Sequence, residues 1–277
     1  MTAFSNTFLE PEDHHPSQAS ARYKASFFGP FRVFLDQQPL GEPKWRRNKA
    51  KGLLKWFLLN PGDLFSVEQL STLFWPHIPL KVATSNLHVT LHYLRHVLEP
   101  DLASTRPSTF VQRNRYNYYC FNLHDLWWLD LFDVHYLSSR ARQAEQQAQL
   151  PRAVALYCQL LSYYRLTFLP EDIYEDVFSP YRRQHDLAYT QTLEHLMHLY
   201  IQINSFPDAL SCALHTLSVD PYNEQAVTIM VRIYLQQGNT TAALCHLDEF
   251  ASLLQQDLGI PVSSDLLTLR TTLLQSR

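Results

Sequence analysis

The 277-residue chain has only 6 glycines, and that scarcity excludes one large group of functions. Enzymes that cradle nucleotide phosphates use glycine loops whose backbone approaches the ligand closely, and neither G-x-x-x-x-G-K nor G-x-G-x-x-G occurs here. Cysteine is also thin. Cys120, Cys158, Cys212 and Cys245 lie far apart, no two have metal-ligand spacing, and nothing in them suggests a disulfide scaffold. No stretch approaches the roughly 18 apolar residues of a membrane span. The start, MTAFSNTFLEPEDHHPSQ, carries early acids and no apolar core segment, so it does not read as a secretory signal. A reducing cytoplasm is the expected compartment. No nucleophile–base pair, metal set or phosphate loop can be assembled, so the expectation is a non-enzyme with no cofactor.

What is present is a packed core and a charge split. Hydrophobic residues make up 46% of the chain, and its length suits two domains of ordinary size. The net charge of −3 hides opposite halves: residues 27–123 hold 12 Lys and Arg against 6 acids, whereas residues 124–277 hold 9 bases and 17 acids. A basic domain joined to an acidic one implies a polyanion partner for the first and a protein partner for the second.

The stretch 80–100, LKVATSNLHVTLHYLRHVLEP, carries the most information. Leu87, Leu91, Leu94 and Leu98 recur at helical spacing, with Val97 beside them, and Pro100 ends the pattern. The other side presents Ser85, His88, Val89, His92, Tyr93, Arg95 and His96, with Lys81 ahead of them and no acid before Glu99. A cationic, aromatic face rich in hydrogen-bonding groups is what base edges and phosphates require. His88, His92 and His96 are four apart and could share a zinc ion. No acid or cysteine completes that set in sequence, so no metal is expected; a charge change of these histidines near pH 6.5 would make DNA affinity pH-sensitive.

Around this helix the chain reads in order. Residues 1–22 are polar and form an expected disordered arm. KASFFGPFRVFLDQQPL (24–40) reads as strands turning at Asp36-Gln37-Gln38. Next comes a helix with an apolar face of Leu53, Leu54, Phe57 and Leu58, ended by Asn60-Pro61-Gly62-Asp63, with Lys44, Arg46, Arg47, Lys49 and Lys51 at its N-terminal end. Backbone N–H groups also favour anions there, so phosphate contact is expected. Ser66 and Gln69 form a capping box that opens another helix. TFVQRNRYNYYCFN (109–122) reads as a β-hairpin, or wing, with Arg113 and Arg115 near its tip.

FFGPFRVFLDQQPL, LLKWFLLNPGDLFSVEQLSTLFWP, NLHVTLHYLRHVLEP and the wing together resemble the winged helix of OmpR/PhoB-like response regulators, most of all in its Streptomyces antibiotic regulatory protein version. The resemblance runs from about Phe27 to Asn122. It implies a third helix in the major groove and a wing at the minor groove or backbone. His92, Tyr93 and Arg95 then occupy places commonly held by arginines, and Arg113 and Arg115 fall on wing positions that contact DNA. The family's glycine-rich wing end is here Tyr116-Asn117-Tyr118-Tyr119.

HDLWWLDLFDVHYL (124–137) is too apolar for a flexible linker and is expected to bridge the two halves. From 138 onward the chain reads as helical, and it repeats: Tyr200, Gln202, Ala209 and Leu210 recur as Tyr234, Gln236, Ala243 and Leu244, an offset of 34 that matches tetratricopeptide (TPR) helix pairs. Ala153 takes the place of Ala209 in an earlier unit. This half is similar to the bacterial transcriptional activator domain of the same family, whose loop resembles FLPEDIYEDVFSPYRRQHDLA and whose ending resembles DLGIPVSSDLL. The acidic stretch around Glu171, Asp172, Glu175 and Asp176 reads either as a site for a basic partner or as a solvated loop.

The expected architecture is therefore two domains: an α+β winged helix over 23–123, with N-terminal strands, three helices and a wing hairpin, followed by an all-α TPR-like repeat domain over 124–277. The expected function is a cytoplasmic, sequence-specific transcriptional regulator of the activator type. Its expected partners are double-stranded DNA with repeated sites and, as the resemblance implies, RNA polymerase or a second copy of the chain. The alternative, motivated by the thinned arginine set, is an interaction protein whose winged helix binds DNA weakly or without sequence preference.

Overall fold

The computed structural model describes residues 18, 20–40, 48–103 and 106–275. Most of the expected arm and the cluster Lys44, Arg46 and Arg47 lie outside the described residues. The chain divides into two compact units, one holding the described residues up to 133 together with 167–182, the other holding 134–166 and 183 onward.

The first unit opens with β1 (Tyr23–Ser26), β2 (Arg32–Leu35) and β3 (Gln38–Pro39). β2 and β3 are joined by a two-residue turn in which Asp36 and Gln37 both take positive φ, 48° and 66°, the twist a tight antiparallel hairpin needs. Three helices follow: α1 (Asn48–Leu59), α2 (Val67–Phe74) and α3 (Leu80–Leu98), with the short β4 (Phe65–Ser66) ahead of α2. The wing is β5 (Val111–Arg113) and β6 (Tyr118–Phe121), and β4-β6-β5 forms a second sheet. Ser66 accepts the Gln69 N–H at 3.0 Å while the Gln69 side chain accepts the Ser66 N–H at 2.8 Å, so the capping box is closed.

Part of the apolar segment expected to bridge the halves is a strand. Trp127–Leu129 forms β7, parallel to β1 with Tyr23 opposite Trp127, so the first sheet runs β3-β2-β1-β7. A strand buried on both faces reads as a continuous apolar run without alternation, so the sequence pattern did not mark it as a strand. Tyr23 and Trp127 stack at 4.8 Å and join Phe110 and Phe121 in one aromatic cluster. The Tyr23 hydroxyl donates to the Leu98 carbonyl at 2.7 Å, satisfying one of the free carbonyls at the C-terminus of α3.

Helices begin at 130 rather than 138. They are α4 (Asp130–Gln146), α5 (Leu150–Tyr164), α6 (Ser179–Gln202), α7 (Phe206–Val219), α8 (Glu224–Gln236), α9 (Thr240–Asp257) and α10 (Ser264–Gln275). The 34-residue offset is written into the backbone. α6 and α8 end at 202 and 236, and α7 and α9 start at 206 and 240. Asn204 and Gly238 take left-handed φ values of 58° and 72°. Each turn closes with a bond from the next N–H back five residues, Ser205 to Tyr200 and Asn239 to Tyr234, both 2.8 Å; this is a Schellman cap. α4–α5 repeats the device with Gln149 bonded to Ala144 and with Ala148 at φ 54°. Ala153, Ala209 and Ala243 are fully buried, the small residues that let paired helices approach.

Ala148 is exposed and sits where glycine carries no Cβ penalty. Ala148→Gly should therefore stabilise the protein by about 0.5–1 kcal/mol in urea unfolding. A loss of similar size, as inside an ordinary helix, would contradict this cap.

Candidate nucleic-acid interface

Pro79 is the N-cap of α3, and its carbonyl accepts the Val82 and Ala83 N–H groups at 2.9 and 3.0 Å. Its buried stripe is Ala83, Leu87, Leu91, Leu94, Val97 and Leu98, joined by Thr90, whose hydroxyl donates to the Asn86 carbonyl. α1 and α2 both pack against it. Turned outward are Lys81, Ser85, His88, Val89 and His92, while Tyr93, Arg95 and His96 are half-buried. The Ser85 hydroxyl donates back to the Lys81 carbonyl at 3.2 Å. His92 and His96 rings lie 4.3 Å apart, and His96 Nδ1 is 2.9 Å from the His92 carbonyl oxygen. Burial, then the charges of Arg113 and Arg95, hold the His88 pKa below the ordinary histidine value. His88 is accordingly a neutral hydrogen-bonding group at pH 7. Among the described residues, no group of three His, Cys, Asp or Glu side chains is placed to hold a metal ion.

Arg95 departs from the expectation of a freely aimed base reader. Its Nε and Nη2 both donate to the Val111 carbonyl, at 3.1 and 2.9 Å, and its guanidinium lies 5.9 Å from the Tyr119 ring centre. The fork braces the helix against β5. Arg113 sits over the same ring at 5.5 Å, and Arg115 lies 4.8 Å over Tyr116. The wing turn that lacks glycine is closed by asparagine: Asn117 takes φ 63°, and Asn114 Oδ1 accepts the Tyr116 and Tyr118 N–H groups at 2.9 and 3.0 Å. Short polar side chains are the residues that stand in for glycine in this way.

Two groups of cations in the first unit have different surroundings. On α1 they are met by acids from the 170–176 loop: Lys49 pairs with Glu175 and Lys51 with Glu171, both at 3.6 Å, and Lys55 pairs with Glu171 at 3.0 Å and with Asp172. Arg182 fixes that loop by donating to the carbonyls of Asp172, Ile173 and Glu175. The acidic stretch is thus neither free nor merely solvated; it neutralises part of the basic cluster that the sequence assigned to phosphate. On α3 and the wing, Lys81, Arg95, Arg113 and Arg115 have no carboxylate within 4 Å among the described residues. Glu99, just past the end of α3, is turned to the Ser108 hydroxyl and the Thr109 N–H.

A cleft of about 550 Å³ opens between the C-terminal half of α3, the loop after it and β5. Arg106 and Gln112 line it beside His92, Arg95, His96 and Arg113. Neither Arg106 nor Gln112 stood out in the sequence. Arg106 lies in an irregular loop without periodicity, and only its proximity to α3 marks it.

The family pattern described as Bacterial transcriptional activator domain matches residues 129–274. No curated protein matches the chain. The solved structure of Mycobacterium tuberculosis EmbR in complex with a low affinity phosphopeptide superposes with a TM-score of 0.75 at 19% identity. That match covers 92% of this chain and 66% of EmbR, so this chain spans under two thirds of the EmbR structure. The TPR2B-domain:pHsp70 complex of yeast Sti1 matches at 14% identity over 53% of this chain and 99% of that one, with a TM-score of 0.37. The C-terminal TPR-containing domain of a Plasmodium falciparum FK506-binding protein matches at 14% identity over 52% and 87%, with a TM-score of 0.36. The EmbR likeness shows a shared fold: a small strand-bearing unit followed by a helical TPR-like one. No helix among the described residues is long and apolar enough to cross a membrane.

Proposed function

From the premise that the chain belongs to the bacterial transcriptional activator domain family, whose members are transcriptional regulators and not enzymes, we propose that it binds double-stranded DNA and reads sequence with α3. One observation carries this reading. The cations of α1 are neutralised within the fold, whereas those of α3 and the wing are left without carboxylates on a face that also exposes Ser85, Val89 and His92. Leaving fixed like charges unpaired on one surface costs stability unless a polyanion meets them.

In this reading α3 enters the major groove, with Val89 against a thymine methyl and His88, His92 and Tyr93 at base edges. Lys81, Arg113 and Arg115 meet phosphates and fix register. Lys49 joins them by leaving Glu175, an exposed pair worth little. Arg95 keeps the wing in place and offers its remaining Nη1 to the DNA. The helical repeats present a surface to RNA polymerase or to a second copy bound at a neighbouring repeat.

The test is selection of bound genomic fragments with purified protein at near-physiological salt, beside Lys81→Ala/Arg115→Ala. The wild type should enrich a repeated motif. The variant should bind all sequences more weakly, with a salt slope reduced by about 2, one per phosphate contact. Arg95→Lys keeps the charge but not the fork: a loss confined to one base pair makes Arg95 a base reader, while a loss shared by all sequences makes it a brace. Binding without any motif would replace this reading by the interaction-protein one, which the His92-Tyr93 pair and the occupied Arg95 fork favour.

A further inference from the structure

We propose that the cleft between α3 and β5 is a phosphate-binding site, with Arg106 as its principal ligand. The site itself stands on its own geometry, and only the identity of the phosphate as one of the DNA backbone rests on the reading above.

The lining is cationic and contains no carboxylate: Arg95, Arg106 and Arg113 contribute guanidinium groups, His92 and His96 contribute ring nitrogens, and Gln112 contributes an amide. Of the two acids that precede Arg106 in the loop, Glu99 spends both oxygens on Ser108 and Thr109, and Asp101 lies with Arg106 along a neighbouring cleft without pairing with it. Arg106 is exposed and has no carboxylate within 4 Å among the described residues. Its backbone N–H is tied to the Ala103 carbonyl at 2.9 Å, which fixes where the side chain leaves the loop.

Two of the three guanidinium groups are held before any ligand arrives. Arg95 is clamped on the Val111 carbonyl, and Arg113 lies over Tyr119. Ordering long side chains opposes binding, and here part of that cost is already met by the fold. Planar forks around an anion match tetrahedral phosphate oxygens better than a single ammonium would. The Gln112 amide is oriented by its own bond to the Thr109 carbonyl at 3.0 Å. The volume of about 550 Å³ accepts a phosphodiester entering from one side and also a free phosphate monoester.

Two arms distinguish these sources, each using the full chain. In the first, a duplex carrying the selected motif is scanned with single methylphosphonate substitutions against wild type, Arg106→Ala and Arg106→Lys. If the phosphate belongs to DNA, one substitution should weaken wild-type binding about tenfold and leave Arg106→Ala, already weakened about as much, unchanged. In the second, inorganic phosphate and a nucleoside 5′-monophosphate are titrated by calorimetry and amide NMR at constant ionic strength in chloride. Binding by the wild type that Arg106→Ala abolishes, with no position coupled to Arg106 in the first arm, assigns the site to a free phosphate ester. A wild type that binds no duplex sinks the regulator reading alone, because the second arm still decides the cleft. If Arg106→Ala equals wild type in both arms, with its thermal midpoint unchanged, the proposal is overturned.

Discussion

Lys55→Ala should destabilise the first unit by about 3–5 kcal/mol, the typical cost of removing one partner from a buried ion pair. Lys55 is 2% exposed, beneath the 170–176 loop, with its ammonium shared between Glu171 and Asp172 and 5.1 Å from the centre of the Phe31 ring. Glu171 Oε1 also accepts the Phe31 N–H at 2.9 Å. Burial pushes the Glu171 carboxyl up, but the Lys55 charge and the hydrogen bonds outweigh it and hold the group below the usual carboxylate range. Without the ammonium, two carboxylates face each other in a half-buried site, with only the more distant Lys51 at 3.6 Å from Glu171 to balance them. Urea unfolding should show a lower midpoint at unchanged slope. Lys55→Met combined with Glu171→Gln and Asp172→Asn should recover most of the loss, because an uncharged set of similar shape leaves no unpaired charge in the half-buried site and costs far less to desolvate. If Lys55→Ala alone unfolds with the wild-type midpoint, the loop is not anchored by this cluster.

Asp130 should make stability depend on pH in the direction opposite to most carboxylates. It sits in the first turn of α4, 3% exposed, with Oδ2 accepting the Phe27 and Phe28 N–H groups at 2.7 and 3.0 Å. Its other oxygen has no hydrogen-bond partner among the described residues. Burial dominates, and against the lowering effect of the backbone N–H groups it pushes the pKa up to about 7. The folded state therefore holds this proton more tightly than the unfolded chain does. The stabilisation is fully present below the unfolded pKa, near 4, and is lost as pH rises through about 7, by up to about 4 kcal/mol. His185, in the second unit, works the other way. Burial lowers its pKa to about 4, so its contribution is present above about pH 6.5 and lost as the pH falls toward 4. Asp130→Asn keeps an acceptor for the two N–H groups and removes the titration. Unfolding free energy between pH 4 and 8 should fall in the wild type relative to the variant, and parallel curves for the two proteins would remove Asp130 from this role.

Much of the fold was legible because it rests on neighbours in sequence. The Ser66–Gln69 box, the leucine stripe of α3, the Asp36-Gln37 turn and the caps that recur at the 34-residue offset are each set by residues a few positions apart, whose backbone geometry admits few alternatives. The exposed face of α3 was legible for the same reason: once Leu87, Leu91, Leu94 and Leu98 turn inward, Ser85, His88, Val89 and His92 must turn out.

What only the tertiary structure decided are the partners of the charged groups. Lys55 meets Glu171 across 116 residues, and Phe27 meets Asp130 across 103. Sequence assigned Lys49 and Lys51 to phosphate and read the acidic stretch as a site for a basic partner or a solvated loop; the fold pairs these lysines with Glu175 and Glu171. Sequence placed Arg95 on the reading face, and the fold spends its fork on Val111. The Trp127–Leu129 run, too apolar for a flexible linker and expected to bridge the halves, became a strand paired with β1. The physical reason is common to all of these. Local pattern fixes which way a side chain points, through steric limits acting within a turn or two of backbone. Whether a charge is neutralised depends on which distant segment arrives within a few ångströms, and that is settled by the packing of the whole unit.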